Sequence, residues 1–255
     1  MKGQRAILLS QFALVSVLLL IWEVCARAGL IDQRWFSSPS AIFARFGHDC
    51  LHGSLLRDGA VTLVEIAVGF AAGVIGGIVF GVMLGFMPRL RRIVMPYLQA
   101  IYGIPRPAMA PIFVLWFGIG ITSKMMLILS LVYFILVVYV LAGFRQINQD
   151  LIRLANTAGA SRLQILLKVI IPSVLPSIFA GMKLGIGLAI VGAVVGEFIS
   201  SDAGLGHYIL RASFSGDTVG IYAGLNGLAI ISLLLVASME LLDRHFFAWR
   251  QEFQL

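Results

Sequence analysis

A chain of 255 residues with 60% hydrophobic and only 12% charged side chains has nowhere to put its apolar surface in water, because a soluble domain carries about 25% charged residues. The net charge of +7 comes from basic residues set between apolar runs, with no Lys/Arg stripe interleaved with aromatics, so it reads as membrane topology and not as a nucleic-acid surface. Cys25 and Cys50 make no CxxC pair and no Cys/His cluster, which argues against a metal or redox site.

Apolar runs long enough to span a bilayer, at roughly 20 residues each, fall at about 7–26, 60–87, 93–117, 125–144, 173–199 and 221–242. The first run also has the outline of a signal peptide, since Lys2 and Arg5 precede it and Ala26-Arg27-Ala28 resembles a small-residue cleavage site. It continues through Trp22 and Val24 to spanning length, however, and this favours an uncleaved first span. Residues 27–59 are polar, with Ser37-Ser38-Pro39-Ser40 followed by an amphipathic helix carrying Ile42, Phe43 and Phe46 on one side, suited to a membrane surface.

The second span carries Gly69, Gly73, Gly77, Gly81 and Gly85 at steps of four, a groove for close approach of another helix. A basic turn, Pro88-Arg89-Leu90-Arg91-Arg92, leads to the third span. That span is interrupted by Tyr102-Gly103-Ile104-Pro105-Arg106-Pro107, and each proline removes a backbone donor and pushes the preceding residue away from helix. Irregular backbone at membrane depth survives only against protein or a water-filled cavity, and a buried arginine is expensive in lipid. Tyr102, Pro105 and Arg106 are therefore candidates to line an internal path, the alternative being a proline kink with Arg106 paired to a carbonyl. Glu65 and Glu197 are further candidates for the path or for a structural pair, as intramembrane acids are by default. Residues 118–124 read as a Gly-rich turn, and 200–220 as a Gly/Ser/Asp loop. The fifth span repeats small residues at Gly181, Gly185, Ala189 and Ala193.

The connection 145–172 is too polar to span and too well punctuated to be slack. Asn148–Ala158 reads as a short helix and Gly159 as its left-handed terminator. Ser161-Arg162-Leu163-Gln164 is a capping box opening a second helix that stops at Pro172. With the N-terminus inside, the inner segments hold Lys2, Arg5, Arg89, Arg91, Arg92, Arg145, Arg153, Arg162, Lys168, Arg244 and Arg250. The outer segments hold fewer, Arg27, Arg34, Arg45, Arg57, Lys124 and Arg211, so both termini and this hairpin are expected on the cytoplasmic side. A docking element for a cytoplasmic partner is a natural use of such a hairpin, and an inter-span linker on the headgroups is the plainer one.

The stretch Arg153-Leu154-Ala155-Asn156-Thr157-Ala158-Gly159-Ala160-Ser161, followed by Val169-Ile170-Ile171-Pro172, resembles the EAA motif of permease subunits of binding-protein-dependent ABC importers. Ala155, Gly159 and Pro172 match at the motif's spacing, whereas Arg153 stands in place of its glutamate and Leu154 in place of its first alanine. Pro111–Gly120, Leu175–Ile178 and Gly204–Leu210 are similar to the nitrate/sulfonate/taurine branch of that family. The resemblance implies an all-α type I importer permease of about six transmembrane helices. It implies an N-terminal segment 1–58, a permease domain 59–245 and a cytoplasmic tail 246–255, in a bacterial inner membrane. It also implies a second permease copy, an external solute-binding protein, and a separate ATPase subunit that holds ATP and Mg. The coupling role then falls on Arg153, Leu154, Ala155, Asn156, Thr157, Gly159, Ala160, Ser161 and Arg162. The chain itself contains no G-x-x-x-x-G-K-[ST] phosphate loop and is expected to bind no cofactor and to be no enzyme. The branch points to a small anion, such as a sulfonate or nitrate, or to a vitamin-precursor heterocycle. An ATP-independent secondary transporter or channel is the alternative, and a membrane-embedded enzyme lacks a cluster of catalytic residues to support it.

Overall fold

The computed structural model describes residues 2–32 and 34–246, and every regular element among them is helical. In chain order these are α1 (Lys2–Arg27), α2 (Pro39–Leu51), α3 (Leu55–Phe86), α4 (Pro88–Tyr102), a 3-10 turn (Arg106–Met109), α5 (Ala110–Phe117), α6 (Ile121–Arg145), α7 (Gln149–Thr157), α8 (Arg162–Ile165), a π turn (Leu166–Ile170), α9 (Ile171–Ile199), α10 (Leu205–Phe214) and α11 (Thr218–Phe246). Among the described residues five helices are long and apolar enough to cross a membrane, or six if α4 and the stretch Arg106–Phe117, bent by 79° at their junction, count as one broken span. The predicted tail, apart from Phe246, lies outside the described residues.

The chain divides into two compact units, Met1–Ala60 with Ala203–Ala229 and Val61–Asp202 with Ile230–Leu255.

Within the second unit, α6 is the central helix. Small residues on α3 let it lie against α6 at backbone distance: a Cβ at Gly69, Gly73, Gly77 or Gly81 would stand 2.6–2.8 Å from the Cβ of Ile128, Val132, Leu136 and Val140 in turn, each four residues after the last. The ladder thus serves packing inside this chain. Gly181 and Gly192 of α9 meet α6 as closely, at Tyr139 and Leu131, while Gly185 faces Phe70 of α3 first and Val132 of α6 at ordinary contact distance. Van der Waals contact at this range is one of the forces that hold helices together in lipid.

Several local expectations are corrected. The basic stretch 88–92 is not a turn but the first turns of α4, with Pro88 at its start, where a missing N–H costs nothing. The turn after α5 is confined to Gly118–Gly120, both glycines having positive φ, and Lys124 lies inside α6. The 200–220 segment contains α10, whose Leu205, Tyr208, Ile209 and Ala212 are buried at helical spacing between Gly- and Ser-rich flanks. On α2, Ile42 is buried but Phe43 faces outward, because Asp49 shares the inner face with Ile42. Finally, the helix after Ser161 does not stop at Pro172. It passes through the π turn into α9, with the Ile171 amide donating to Leu166 O. The extra residue in that turn shifts the carbonyl register ahead of the proline, whose ring would otherwise clash with the carbonyl four residues back.

Candidate functional site

The hairpin is built as its residues dictate. Asn148 caps α7 by accepting the Asp150 amide at 2.9 Å, and Arg153 pairs with Asp150 at 3.2 Å on the exposed side. Ile147 is buried beside Val140 and Val174, with Ile152 packed against them, so one face of α7 is anchored. The opposite face is left open, with Leu151 and Leu154 exposed. Gly159 reverses the chain at φ +77°, and the Ala160 amide donates back to Ala155 O at 3.0 Å. The capping box is complete: Gln164 N donates to Ser161 Oγ at 3.3 Å, and Ser161 N donates to Gln164 Oε1 at 2.8 Å. Between the two arms run two open grooves, of about 660 Å³ beside Leu151, Leu154, Ala155, Val169 and Pro172, and about 360 Å³ beside Gly159, Ala160 and Gln164. Of the residues assigned to coupling, Ala155 lines both grooves, Leu154 the first, and Gly159 and Ala160 the second. Arg153, Thr157 and Arg162 are exposed around the turn.

At the broken span, Arg106 is buried. Its guanidinium donates to Ser130 O at 3.0 Å and to Ile101 O at 3.2 Å, and its carbon sits 3.7 Å from the Phe134 ring centroid. These bonds employ a carbonyl at the very break that Pro105 and Pro107 impose. Tyr102 lies on the other side, its ring centroid 6.0 Å from the guanidinium, and lines a cavity of about 300 Å³ with Gln99, Phe134, Val138 and Arg145. The lining is mostly apolar, with Gln99, Tyr102 and Arg145 as its polar members, a composition that small-solute sites tend to have.

Glu65 and Glu197 are not gathered with Tyr102, Pro105 and Arg106. They are both fully buried in a separate cluster with Lys124 and Thr62. Lys124 Nζ forms an ion pair with Glu65 and donates to Ser201 Oγ at 2.8 Å, and Thr62 Oγ1 donates to Glu197 Oε1 at 2.6 Å. Sequence reasoning misses Lys124 because it falls in the stretch that reads as a loop. The signal is its place on the face of an apolar run that also carries Ile128, Val132 and Leu136.

A second polar cluster lies in the first unit. Asp49 accepts from Tyr208 Oη at 2.5 Å and from Arg45 Nε at 2.6 Å, and meets His48 Nδ1 at 2.9 Å, while Arg45 also pairs with Asp217 at 2.9 Å. Burial pushes the Asp49 carboxyl up, but the bonds from Tyr208, Arg45 and His48 outweigh it and hold it at about 2, below its ordinary 3.8. Burial, then the bond to Asp49, pushes the Tyr208 phenol up to about 12. A lowered acid stabilises the fold above pH 3.8, and that contribution is lost as pH falls toward 2. A raised phenol contributes below pH 10, and its contribution is lost as pH rises toward 12. Tyr208→Phe leaves a buried carboxylate short of one donor, so thermal unfolding of the variant should show a loss of about 1.5–3 kcal/mol between those limits, narrowing below pH 3.8.

The family model described as "Binding-protein-dependent transport system inner membrane component" matches residues 73–250. The taurine transport system permease protein TauC of Escherichia coli is 32% identical over 245 residues, covering 94% of this chain and 89% of that protein. The formylaminopyrimidine transport permease protein ThiX of Halalkalibacterium halodurans is 32% identical over 237 residues, covering 92% of this chain and 94% of the relative. Among solved structures, a chain of the inward-facing MetNI methionine ABC transporter superposes with a TM-score of 0.67 at 20% identity, over 77% of this chain and 98% of that one, which shows a shared fold. With its multi-pass helical architecture, the chain belongs to the binding-protein-dependent transport system inner membrane component family and is a permease subunit of an ABC transporter.

Proposed function

We propose that this permease imports a small organic solute, an anion such as a sulfonate or a vitamin-precursor heterocycle, and that ATP hydrolysis on a separate subunit drives it through the α7–α8 hairpin. The single observation that carries the coupling role is the hairpin's construction. One face of α7 is anchored by Ile147 and Ile152, while Leu151, Leu154 and Ala155 present an open apolar groove beside a rigid Gly159 turn. Such a groove accepts an inserted or enclosing surface of a partner. A change in the partner's shape on binding ATP then biases the helices that continue from the hairpin, because α8 runs without a break into α9.

The topology that goes with this reading puts both termini and the hairpin in the cytoplasm. A second copy of the chain completes the pathway, closed two-fold symmetry being the commonest form of assembly, and a binding protein delivers solute from outside. ATP and Mg belong to the partner, and this chain holds neither. The α4–α5 break, with Tyr102, Pro105 and Arg106, is assigned to the pathway: Arg106 ties the break to α6 by bonding Ile101 O at the end of α4 and Ser130 O of α6, and Gln99, Tyr102 and Arg145 line the cavity proposed for the solute. The relatives named for taurine and for formylaminopyrimidine support a small polar solute.

The test is crosslinking from the hairpin. Asn156→Cys is placed in a Cys25→Ser, Cys50→Ser background, and membranes are treated with a short bifunctional reagent with and without ATP. The expected result is a nucleotide-sensitive adduct with a separate ATPase-sized protein. Adding Gly159→Val should reduce that adduct several-fold, since a β-branched residue cannot hold φ +77° without strain of about 1–2 kcal/mol or more. No adduct with any cytoplasmic protein, while the introduced thiol labels from the cytoplasmic side, would reduce the hairpin to a surface linker.

A further inference from the structure

Two carboxyl groups and one ammonium make up the buried ionisable cluster at Glu65, Glu197 and Lys124, and none of the three is more than 4% exposed. If all three were ionised, two negative charges and one positive would be packed together out of water, where charge is costly to hold. The geometry shows where the imbalance falls. Lys124 meets Glu65 Oε1 as an ion pair, so Glu65 carries the charge that the ammonium balances. Glu197 lies within hydrogen-bonding contact of Glu65. Yet Glu65 Oε2 is completely buried and has no donor as long as both groups are taken as carboxylates. Two carboxyl oxygens in such contact are attractive only with a proton between them, and like charges this close do not both persist. Thr62 donates a further bond to Glu197 Oε1 at 2.6 Å, and a carboxylic acid retains the acceptor capacity for it.

We propose that Glu197 and Glu65 share one proton, held mainly on Glu197, and that the ends of α3, α6 and α9 close around this proton as a neutral, water-excluded Glu–Glu–Lys site. The groups facing it are Thr62 from α3, Lys124 from α6, and Ser201 just beyond α9; Gly196 leaves the room that Lys124 occupies, a Cβ there standing 2.9 Å from Lys124 Cγ. Asp58 is engaged with Ser54 Oγ and the Gly204 amide, and Asp202 is exposed. The proton belongs to the packed arrangement of the three helix ends. Parting them lets water reach Glu197, which then ionises and releases a proton to that water. This inference concerns the packing of the chain and stands apart from the coupling and solute assignments.

The test is infrared spectroscopy of the full chain in lipid nanodiscs at neutral pH, with and without 13C-labelled glutamate. The expected result is a carboxylic-acid C=O band equivalent to one glutamate per chain, moved by the label and absent from Glu197→Gln. The wild-type spectrum is decisive even if the variant fails to accumulate: the absence of a label-sensitive carboxylic-acid band overturns the proposal. A band that survives Glu197→Gln and Glu65→Gln unchanged overturns it equally.

Discussion

Lys124→Met should remove most of the folded permease from membranes. Lys124 is 4% exposed and its ion-pair partner, Glu65, is 0% exposed. Methionine fills much of the same volume but leaves Glu65 either charged and without its ammonium or forced to take up a proton. Breaking one side of a buried pair in this way costs about 3–5 kcal/mol, a large part of a typical margin of stability. The decisive comparison is with Lys124→Met/Glu65→Gln, in which both members of the pair are neutral. Monodisperse protein extracted from membranes, and its thermal midpoint, should fall sharply in the single variant and recover most of the way in the double one. Lys183→Met is the contrast. Its pair with Asp243, at 2.6 Å, joins side chains 42% and 32% exposed, and its loss should cost no more than about 1 kcal/mol. If Lys183→Met did as much damage as Lys124→Met, the difference in burial would not be what sets the cost.

The same residue marks how far the sequence could be read. Six apolar runs and the hairpin were legible because hydropathy and punctuation act locally: Asn148, Gly159 and the Ser161–Gln164 box each act on backbone within four residues of themselves. The broken third span was legible for the same reason, since Pro105 and Pro107 forbid a continuous helix whatever surrounds them. What was hidden depends on partners far along the chain. The glycines of α3 announce that something approaches closely, but not that it is α6, whose Ile128 to Val140 face has no special composition. Lys124 looks like a topology marker because a lysine near the end of an apolar run usually is one. Only Glu65, far away in sequence, makes it a buried ion. Arg106 stands out in the sequence as unusual, but Ser130 O, which receives its bond, is a backbone atom that no side-chain pattern encodes. The π turn that carries α8 into α9 reads in the sequence as a stop at Pro172, because a proline in a chain of letters looks the same whether the helix ends there or widens to admit it.

The second large effect is expected at the middle of the glycine ladder. Gly77→Leu puts a branched side chain where even a Cβ would stand 2.6 Å from Leu136 Cβ and 2.7 Å from the Tyr133 carbonyl oxygen. One of those obstacles is backbone inside α6, so no rotamer change relieves it and α3 has to move away bodily. That movement also undoes the contacts of Gly73 with Val132 and Gly81 with Val140, because the three glycines lie on one face of one helix. Overpacking a well-filled site costs about 1–3 kcal/mol and occasionally more, and separating α3 from α6 along several turns belongs at the upper end. It also drags Glu65 and Thr62, on the same helix, away from Lys124 and Glu197. Gly187→Ala is the matching control, since a Cβ at Gly187 meets nothing within 4 Å in this chain and a helical alanine is favoured over glycine by about 1 kcal/mol. Yield and thermal midpoint in lipid nanodiscs should collapse for Gly77→Leu, drop part way for Gly77→Ala, and hold or rise for Gly187→Ala. Equal tolerance of leucine at positions 77 and 187 would mean that α3 and α6 are not held at backbone distance. The packing of α3 and α9 on α6, where both meet Val132 and Leu136, would then have to be given up.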